Sequence, residues 1–82
     1  MATKHDLQDW IQNALRNLGG HASLLAVAKH MWNTHASDLR ASGDLFFTWQ
    51  YDMRWAANAL RRQGIMKPAE ISPVGVWEVT EV

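Results

Sequence analysis

Residues 45–64 read LFFTWQYDMRWAANALRRQG and decide the fold of this chain, because they predict one long amphipathic helix with a defined end. Apolar side chains recur every three or four residues, which is the period of one helix face. We predict that the helix begins near Leu45 or Thr48 and stops before Gly64, since glycine readily adopts the left-handed conformation that ends helices. The predicted inner stripe consists of Phe46, Trp49, Met53, Ala56, Ala57 and Leu60.

The opposite side of this third helix is polar and locally basic. Residues 48–63 contain three arginines and one aspartate. Every amphipathic helix needs a solvated face, so this pattern alone indicates no function. The outer side is predicted to carry Gln50, Tyr51, Arg54, Asn58, Arg61 and Arg62, with Phe47 and Trp55 at its edges.

A first helix is predicted from about Asp6 to Leu18. Gly19–Gly20 follow it and can supply the left-handed residue that ends a helix. Its apolar residues lie on a single stripe at the helical period. The stripe consists of Leu7, Trp10, Ile11, Ala14, Leu15 and Leu18.

Ser23 is the predicted N-cap of a second helix, because its hydroxyl can accept a hydrogen bond from an amide of the first turn. This helix is expected to end near Thr34–His35. Residues 36–44 are expected to form a loop with one helical turn around Leu39. The predicted buried stripe consists of Leu24, Val27, Ala28, Met31, Trp32 and His35, which packs near the end of the helix.

Two short strands are predicted after the third helix, over residues 65–67 and 76–80, with prolines and a glycine between them. Trp77 and Val79 are expected to face inward and Glu78 outward. His21–Ala22 is a candidate third strand. The order of elements predicts an α+β fold, a winged helix-turn-helix with three helices followed by a β-hairpin wing. Residues 1–82 are expected to form this single domain.

Composition limits the classes of protein that this chain can belong to. The 82 residues contain no cysteine, which excludes a disulfide scaffold, a thiolate metal site and a cysteine nucleophile. No apolar run approaches the ~18 residues of a membrane span. The polar N-terminus has no signal-peptide core, so we expect a cytoplasmic protein without a membrane partner. The net charge is zero, which gives no overall attraction to nucleic acid.

Three stretches resemble a known family. Residues 55–66, WAANALRRQGIM, are similar to the Trp-Ala-x-x-x-Leu-x-x-x-Gly-hydrophobic signature of the Mrr-type restriction-system N-terminal domain. Residues 75–80, GVWEVT, resemble its Gly-x-Trp-x-hydrophobic-Thr strand, and residues 14–23 resemble its first helix and turn. The resemblance implies a bacterial or phage-type winged helix that is attached to a nuclease in methylation-dependent restriction enzymes and also occurs alone. Residues 1–82 lack that nuclease's Glu-x-Lys motif, and residues 45–52 are more aromatic than the family pattern.

A winged helix-turn-helix gives the polar face of the third helix a function. In such proteins the second helix of the motif lies in the major groove, where Gln and Asn suit adenine edges and Arg suits guanine edges or phosphates. Lys29 on the second helix could contact the backbone across the groove. The wing is also acidic, which weakens the case for its contact with DNA. The predicted DNA-binding residues are Gln50, Tyr51, Arg54, Asn58, Arg61 and Arg62 of the helix and Lys67 of the wing.

The aromatic residues of this region allow two interpretations. A flipped or methylated base can be read by stacking between aromatic rings, but aromatic residues at helical spacing usually belong to the core. We assign Phe46 and Trp49 to the core. Phe47, Tyr51 and Trp55 are left over, and they suit either base stacking or a protein interface.

The leading hypothesis is a small DNA-binding protein that acts as a sequence- or modification-dependent reader or regulator of double-stranded DNA. The alternative is a winged-helix module for protein–protein interaction or oligomerisation, which the neutral charge fits better; Trp10 or Trp32 could serve a homodimer. A DNA-binding protein should gather its arginines into one patch, whereas a docking module should expose an apolar patch with Tyr51 or Trp55.

No enzyme is predicted. The four histidines show no metal-ligand spacing, and no phosphate-binding glycine loop or nucleophile motif is present. The aspartates are scattered without a paired-carboxylate pattern. We therefore expect no catalytic residue, metal, cofactor or small-molecule substrate.

Overall fold

The computed structural model describes residues 2–80 and contains three helices and two strands in that range. The elements are α1 (Asp6–Asn17), β1 (His21–Ser23), α2 (Leu24–Arg40), α3 (Leu45–Arg62) and β2 (Val76–Glu78). The α+β class predicted from the sequence is confirmed, and the layout is compatible with a winged helix. None of the helices within residues 2–80 is long and apolar enough to cross a membrane.

The sheet joins two segments that are far apart in the sequence. β1 pairs with β2 in antiparallel register, with Ala22 opposite Trp77. The candidate third strand at His21–Ala22 is therefore confirmed. The strand predicted at residues 65–67 is reduced to a single bridge between Met66 and Val79. Two hydrogen bonds flank this bridge, from the Lys67 amide to the Glu78 carbonyl at 2.9 Å and from the Thr80 amide to the Ile65 carbonyl at 2.8 Å. The ladder goes no further toward α3, because the Ile65 amide donates to the Leu60 carbonyl at 2.9 Å.

The core lies where the three helices meet the sheet. The inward positions predicted for Trp49, Trp77 and Val79 are confirmed, since all three are buried. Glu78 between the last two is only half-buried, in agreement with the alternation of a strand. The largest fully buried side chains come from all helices and from the bridge segment: Leu7, Ile11, Leu15, Val27, Met31, Leu39, Met53, Leu60 and Met66.

Phe46 and Leu18, which the sequence assigned to buried helix stripes, lie at the edges of those stripes. Phe46 is 37% exposed, and Leu45 takes the predicted core position with 8% exposure. Leu45 precedes Trp49 by four residues and Phe46 precedes it by three, so both fit the helical period and the sequence could not separate them. Leu18 is 38% exposed because α1 ends at Asn17, one residue earlier than predicted.

The predicted end of the second helix is correct only in part. The helical geometry is interrupted by a kink at His35, and the turn expected around Leu39 is helical, but α2 continues as one element to Arg40 where the rest of residues 36–40 was expected to be a loop. The last turns are held by Leu39, which is completely buried in the core, and by the Ser42 hydroxyl, which donates to the Asp38 carbonyl. The predicted N-cap is confirmed, since the Ser23 hydroxyl accepts a hydrogen bond from the Ala26 amide at 3.1 Å.

His35 lies inside α2 at a kink, with φ −123° and ψ 17°. Its ring stacks on Trp10 of α1, with 3.8 Å between ring centroids and an interplanar angle of 3°. Burial lowers the pKa of His35, and His30 acts in the same direction, whereas the Asp38 carboxylate 3.9 Å away opposes the shift. The stack therefore holds its histidine in the neutral form more strongly than an unfolded chain does.

We expect the melting temperature to fall as the pH is lowered from about 7.5 to about 5. The His35 pKa is lower in the folded state than in the unfolded chain. As the pH falls below ~6.5, the unfolded chain therefore binds a proton at His35 before the folded state does, and this protonation favours unfolding. Circular dichroism melts at several pH values measure this slope, and His35→Gln should reduce it. His21→Gln is the matched control because it removes a histidine outside the stack. Equal slopes for the parent and the His35 variant would contradict the assignment.

Candidate nucleic-acid interface

The outward side of α3 is polar, aromatic and free of exposed carboxylates. Asp52, the one acidic residue of the helix, is half-buried and accepts a hydrogen bond from the Thr48 hydroxyl at 2.8 Å. The helix thus carries three arginines and one aspartate, and the aspartate is engaged in a hydrogen bond within the helix. The exposed residues of α3 are Phe46, Phe47, Thr48, Gln50, Tyr51, Arg54, Asn58 and Arg62.

The N-terminal half of α3 borders an open groove of about 740 Å³ against α2. Phe47 and Tyr51 line it and are 82% and 79% exposed. Gln50 and Arg54 lie beside them on the same helix, and Leu25 of α2 and Gly75 of the connection before β2 complete the lining. We call this surface the α2/α3 groove. It brings amide, guanidinium and aromatic groups together on one accessible face.

A second open groove of about 580 Å³ adjoins the first one. Gln50 and Leu25 line both grooves, and Lys29 and Phe46 belong to the second. Lys29 is exposed and lines this groove together with Gln50, so it lies on the same side of the molecule as that residue of α3.

The three arginines of α3 differ in their exposure and in their internal hydrogen bonds. Arg61 is half-buried, and its guanidinium donates from Nε to the Lys67 carbonyl and from Nη1 to Asn58 Oδ1, both at 3.3 Å. Arg54 and Arg62 are exposed and form no hydrogen bond or ion pair with any residue between 2 and 80. The two unpaired arginines can therefore meet a ligand without breaking an internal contact.

Lys67 of the wing is occupied by an internal partner. Its ammonium nitrogen lies 3.4 Å from Glu78 Oε2 in a partly exposed ion pair. Residues 68–75 of the wing contain no basic side chain, and they expose Glu70, Ile71 and Val74. The wing is thus less suited to phosphates than α3, although Lys67 remains a predicted DNA contact.

The tryptophans at the edges of the predicted surfaces have internal partners. Trp55 is half-buried under the N-terminal segment, with Lys4 Nζ 4.7 Å from its ring centre and the His5 ring at 5.4 Å. Trp32 stacks on Trp49 at 6.1 Å and carries Arg40 over its ring. Of the aromatic residues left over from the core prediction, the described structure leaves Phe47 and Tyr51 largely exposed.

Sequence reasoning missed Leu25 as a residue of the site. It is 63% exposed and lies at the junction of the two grooves. The signal was present, because Leu25 falls off the apolar stripe of α2 and no core position requires a large side chain there. All six residues predicted on the outer face of α3 share that helix, and Lys67 lies beyond its C-terminal end, next to Arg61.

Residues 2–80 contain no group of three or more His, Asp or Glu side chains that could hold a metal ion. Comparison of the chain with protein-family models, with curated proteins and with solved structures found no match. The resemblance to the Mrr-type N-terminal domain therefore remains an expectation from the sequence.

Proposed function

We propose that this chain is a small winged-helix protein that binds double-stranded DNA and places α3 in the major groove. The observation that supports this proposal is the exposed side of α3, although the chain as a whole has zero net charge. This side contains no exposed carboxylate and presents Gln50, Arg54, Asn58 and Arg62. Helix pairs of this kind insert their second helix into the major groove. The exposed carboxylates between residues 2 and 80 lie outside α3, at Asp9 on α1, Asp38 on α2, Asp44 just before α3 and Glu70 in the wing.

The layout supports this assignment. β1 lies between α1 and α2 and pairs with β2, and Met66 bridges to Val79 just after α3. β1 contacts α1 and α2, and the outer side of α3 stays exposed. Such an order of elements is compatible with a winged helix, whose docking mode would bring the N-terminal half of α3 to the base edges.

The residues have different roles in the proposed complex. Gln50 and Arg54 reach base edges from the N-terminal half of α3, whereas Arg62 and Lys29 meet phosphates. Arg61 and Lys67 contribute less affinity because each already holds an internal partner. The complex is one of modest affinity, in which about two exposed cations, Arg62 and Lys29, neutralise phosphates.

Fluorescence anisotropy with a labelled random duplex tests the proposal. With about two phosphates neutralised, affinity should fall about 12-fold between roughly 50 and 200 mM salt. A parallel duplex with methylated bases shows whether the protein reads a modification. Absence of binding to either duplex at the lower salt concentration would refute DNA binding.

The protein-interaction alternative has a specific observation of its own. Leu25, Phe47 and Tyr51 are each more than 60% exposed, and they lie around one groove. Exposed apolar patches commonly mark interfaces with partners. Sedimentation equilibrium measures this directly: self-association without duplex binding would favour the oligomerisation module.

A further inference from the structure

Four side chains of α3 form a group that phosphate binding does not explain. Gln50 and Tyr51 lie three and four residues after Phe47, and Arg54 lies four and three residues after them, so all four share one side of the helix. Phe47 packs edge-on against Phe46 with 5.1 Å between ring centroids, yet 82% of it stays exposed. Tyr51 forms no ring contact or hydrogen bond within residues 2–80.

Two large rings in this position gain little from a phosphate backbone, because their faces are apolar. The edges of base pairs in the major groove offer one apolar group, the C5-methyl of a pyrimidine, which thymine always carries. An aromatic side chain that covers this methyl removes apolar surface from water on both partners. The rings therefore match a base edge better than a sugar or a phosphate.

We infer that Phe47, Gln50 and Tyr51 read A·T base pairs through the thymine methyl group, an inference that rests on the proposed docking of α3 in the major groove. Gln50 supplies the complementary polar contact, since a glutamine amide pairs with adenine N6 and N7. Phe47 and Gln50 are three residues apart, which is a rise of about 4.5 Å along the helix. That rise is close to the ~3.4 Å step between base pairs, so the two side chains reach the same pair or adjacent ones.

The side-chain amide of Gln50 also distinguishes between the two bases that carry a C5-methyl group, thymine and 5-methylcytosine. 5-Methylcytosine pairs with guanine, whose edge presents only acceptors and is matched by arginine. Gln50 lies between Phe47 and Tyr51 in the sequence, whereas Arg54 lies outside this segment, seven residues beyond Phe47 and three beyond Tyr51. The polar residue between the two rings thus matches adenine, the partner of thymine.

Replacement of thymine by deoxyuridine in an otherwise identical A·T-rich duplex is the direct test, since it removes the methyl group and leaves hydrogen bonding and charge unchanged. We expect the dissociation constant to rise roughly 5- to 10-fold, within the range for loss of one or two base-edge contacts. The ratio of the dissociation constant for the uracil duplex to that for the thymine duplex should fall toward one in Phe47→Ala and in Tyr51→Ala. Ile71→Ala is the matched control, because it truncates an exposed apolar side chain of the wing that is 66% accessible.

The outcomes separate this inference from the proposed function. Equal affinity for the thymine and uracil duplexes, with binding retained, would overturn methyl reading and leave DNA binding in place. A duplex with 5-methylcytosine in G·C pairs that binds more tightly than the thymine duplex would also overturn the A·T assignment. If the parent self-associates and Phe47→Ala abolishes only that association, the rings belong to a protein interface. Failure to bind any duplex would instead refute the proposed function.

Discussion

Arg54→Ala is expected to weaken binding to duplex DNA by roughly 1–3 kcal/mol, the range for loss of an arginine that contacts a base edge. Arg54 is exposed on α3, and the structure gives it no partner among residues 2–80. Its removal therefore deletes an intermolecular contact and no internal one. The melting temperature should stay close to that of the parent, because surface substitutions usually change stability by less than about 0.5 kcal/mol.

Arg61→Ala provides the comparison within the same helix. Its guanidinium holds the Lys67 carbonyl and Asn58 at 3.3 Å, so its loss should lower stability as well as affinity. Arg16→Ala, on α1 and outside the proposed interface, is the control for the loss of one positive charge. Anisotropy titrations and thermal melts of the three variants measure both quantities. Unchanged affinity in both α3 variants would contradict the docking of α3 in the groove.

Trp77→Ala is expected to destabilise the domain by roughly 3–5 kcal/mol, and Leu60→Ala by roughly 2–5 kcal/mol. Trp77 is 7% exposed on β2, opposite Ala22, and Leu60 is 2% exposed near the end of α3. Each truncation removes apolar contacts and leaves a cavity where the sheet meets the helices. A small domain has only about 5–15 kcal/mol of stability in total, so either variant should be partly unfolded near its working temperature.

Urea denaturation followed by tryptophan fluorescence and circular dichroism measures these losses. Phe47→Ala is the matched control, because it truncates a large aromatic side chain that is 82% exposed. It should unfold within about 0.5 kcal/mol of the parent. If Trp77→Ala or Leu60→Ala unfolded like Phe47→Ala, the assignment of the core would be wrong.

A neutral chain can still present a basic surface. Arg54 and Arg62 of α3 are exposed, whereas Asp52 accepts a hydrogen bond from Thr48 and Glu78 pairs with Lys67. A ligand in the groove therefore meets a local positive field that the overall charge conceals. The same arrangement predicts a shallow dependence on salt, because few cations are free to neutralise phosphates.

The features that the sequence predicted well depend on residues close together in the chain. Gly64 ends α3 with a positive φ of 79°, and Ser23 caps α2 through the amide three residues ahead. Helical periodicity likewise identified the buried side of α3, apart from its first turn. Its outer residues, Gln50 and Arg54 among them, could be named as candidates because a helix face is a local property.

Tertiary structure decided what local patterns left open. α2 extends beyond its predicted end because the Leu39 side chain is buried in the core. For the same reason Leu45, and not Phe46, occupies the core position in the first turn of α3. Arg61 is bound to the segment that follows α3, while Arg54 is free to meet a ligand. The sequence by itself determined where α2 starts, where α3 stops and which sides of the helices are apolar, since these depend on neighbours within about one turn. Only the packing of distant segments determined which exposed side chains stay unpaired, because burial and pairing energies depend on contacts that no local pattern contains.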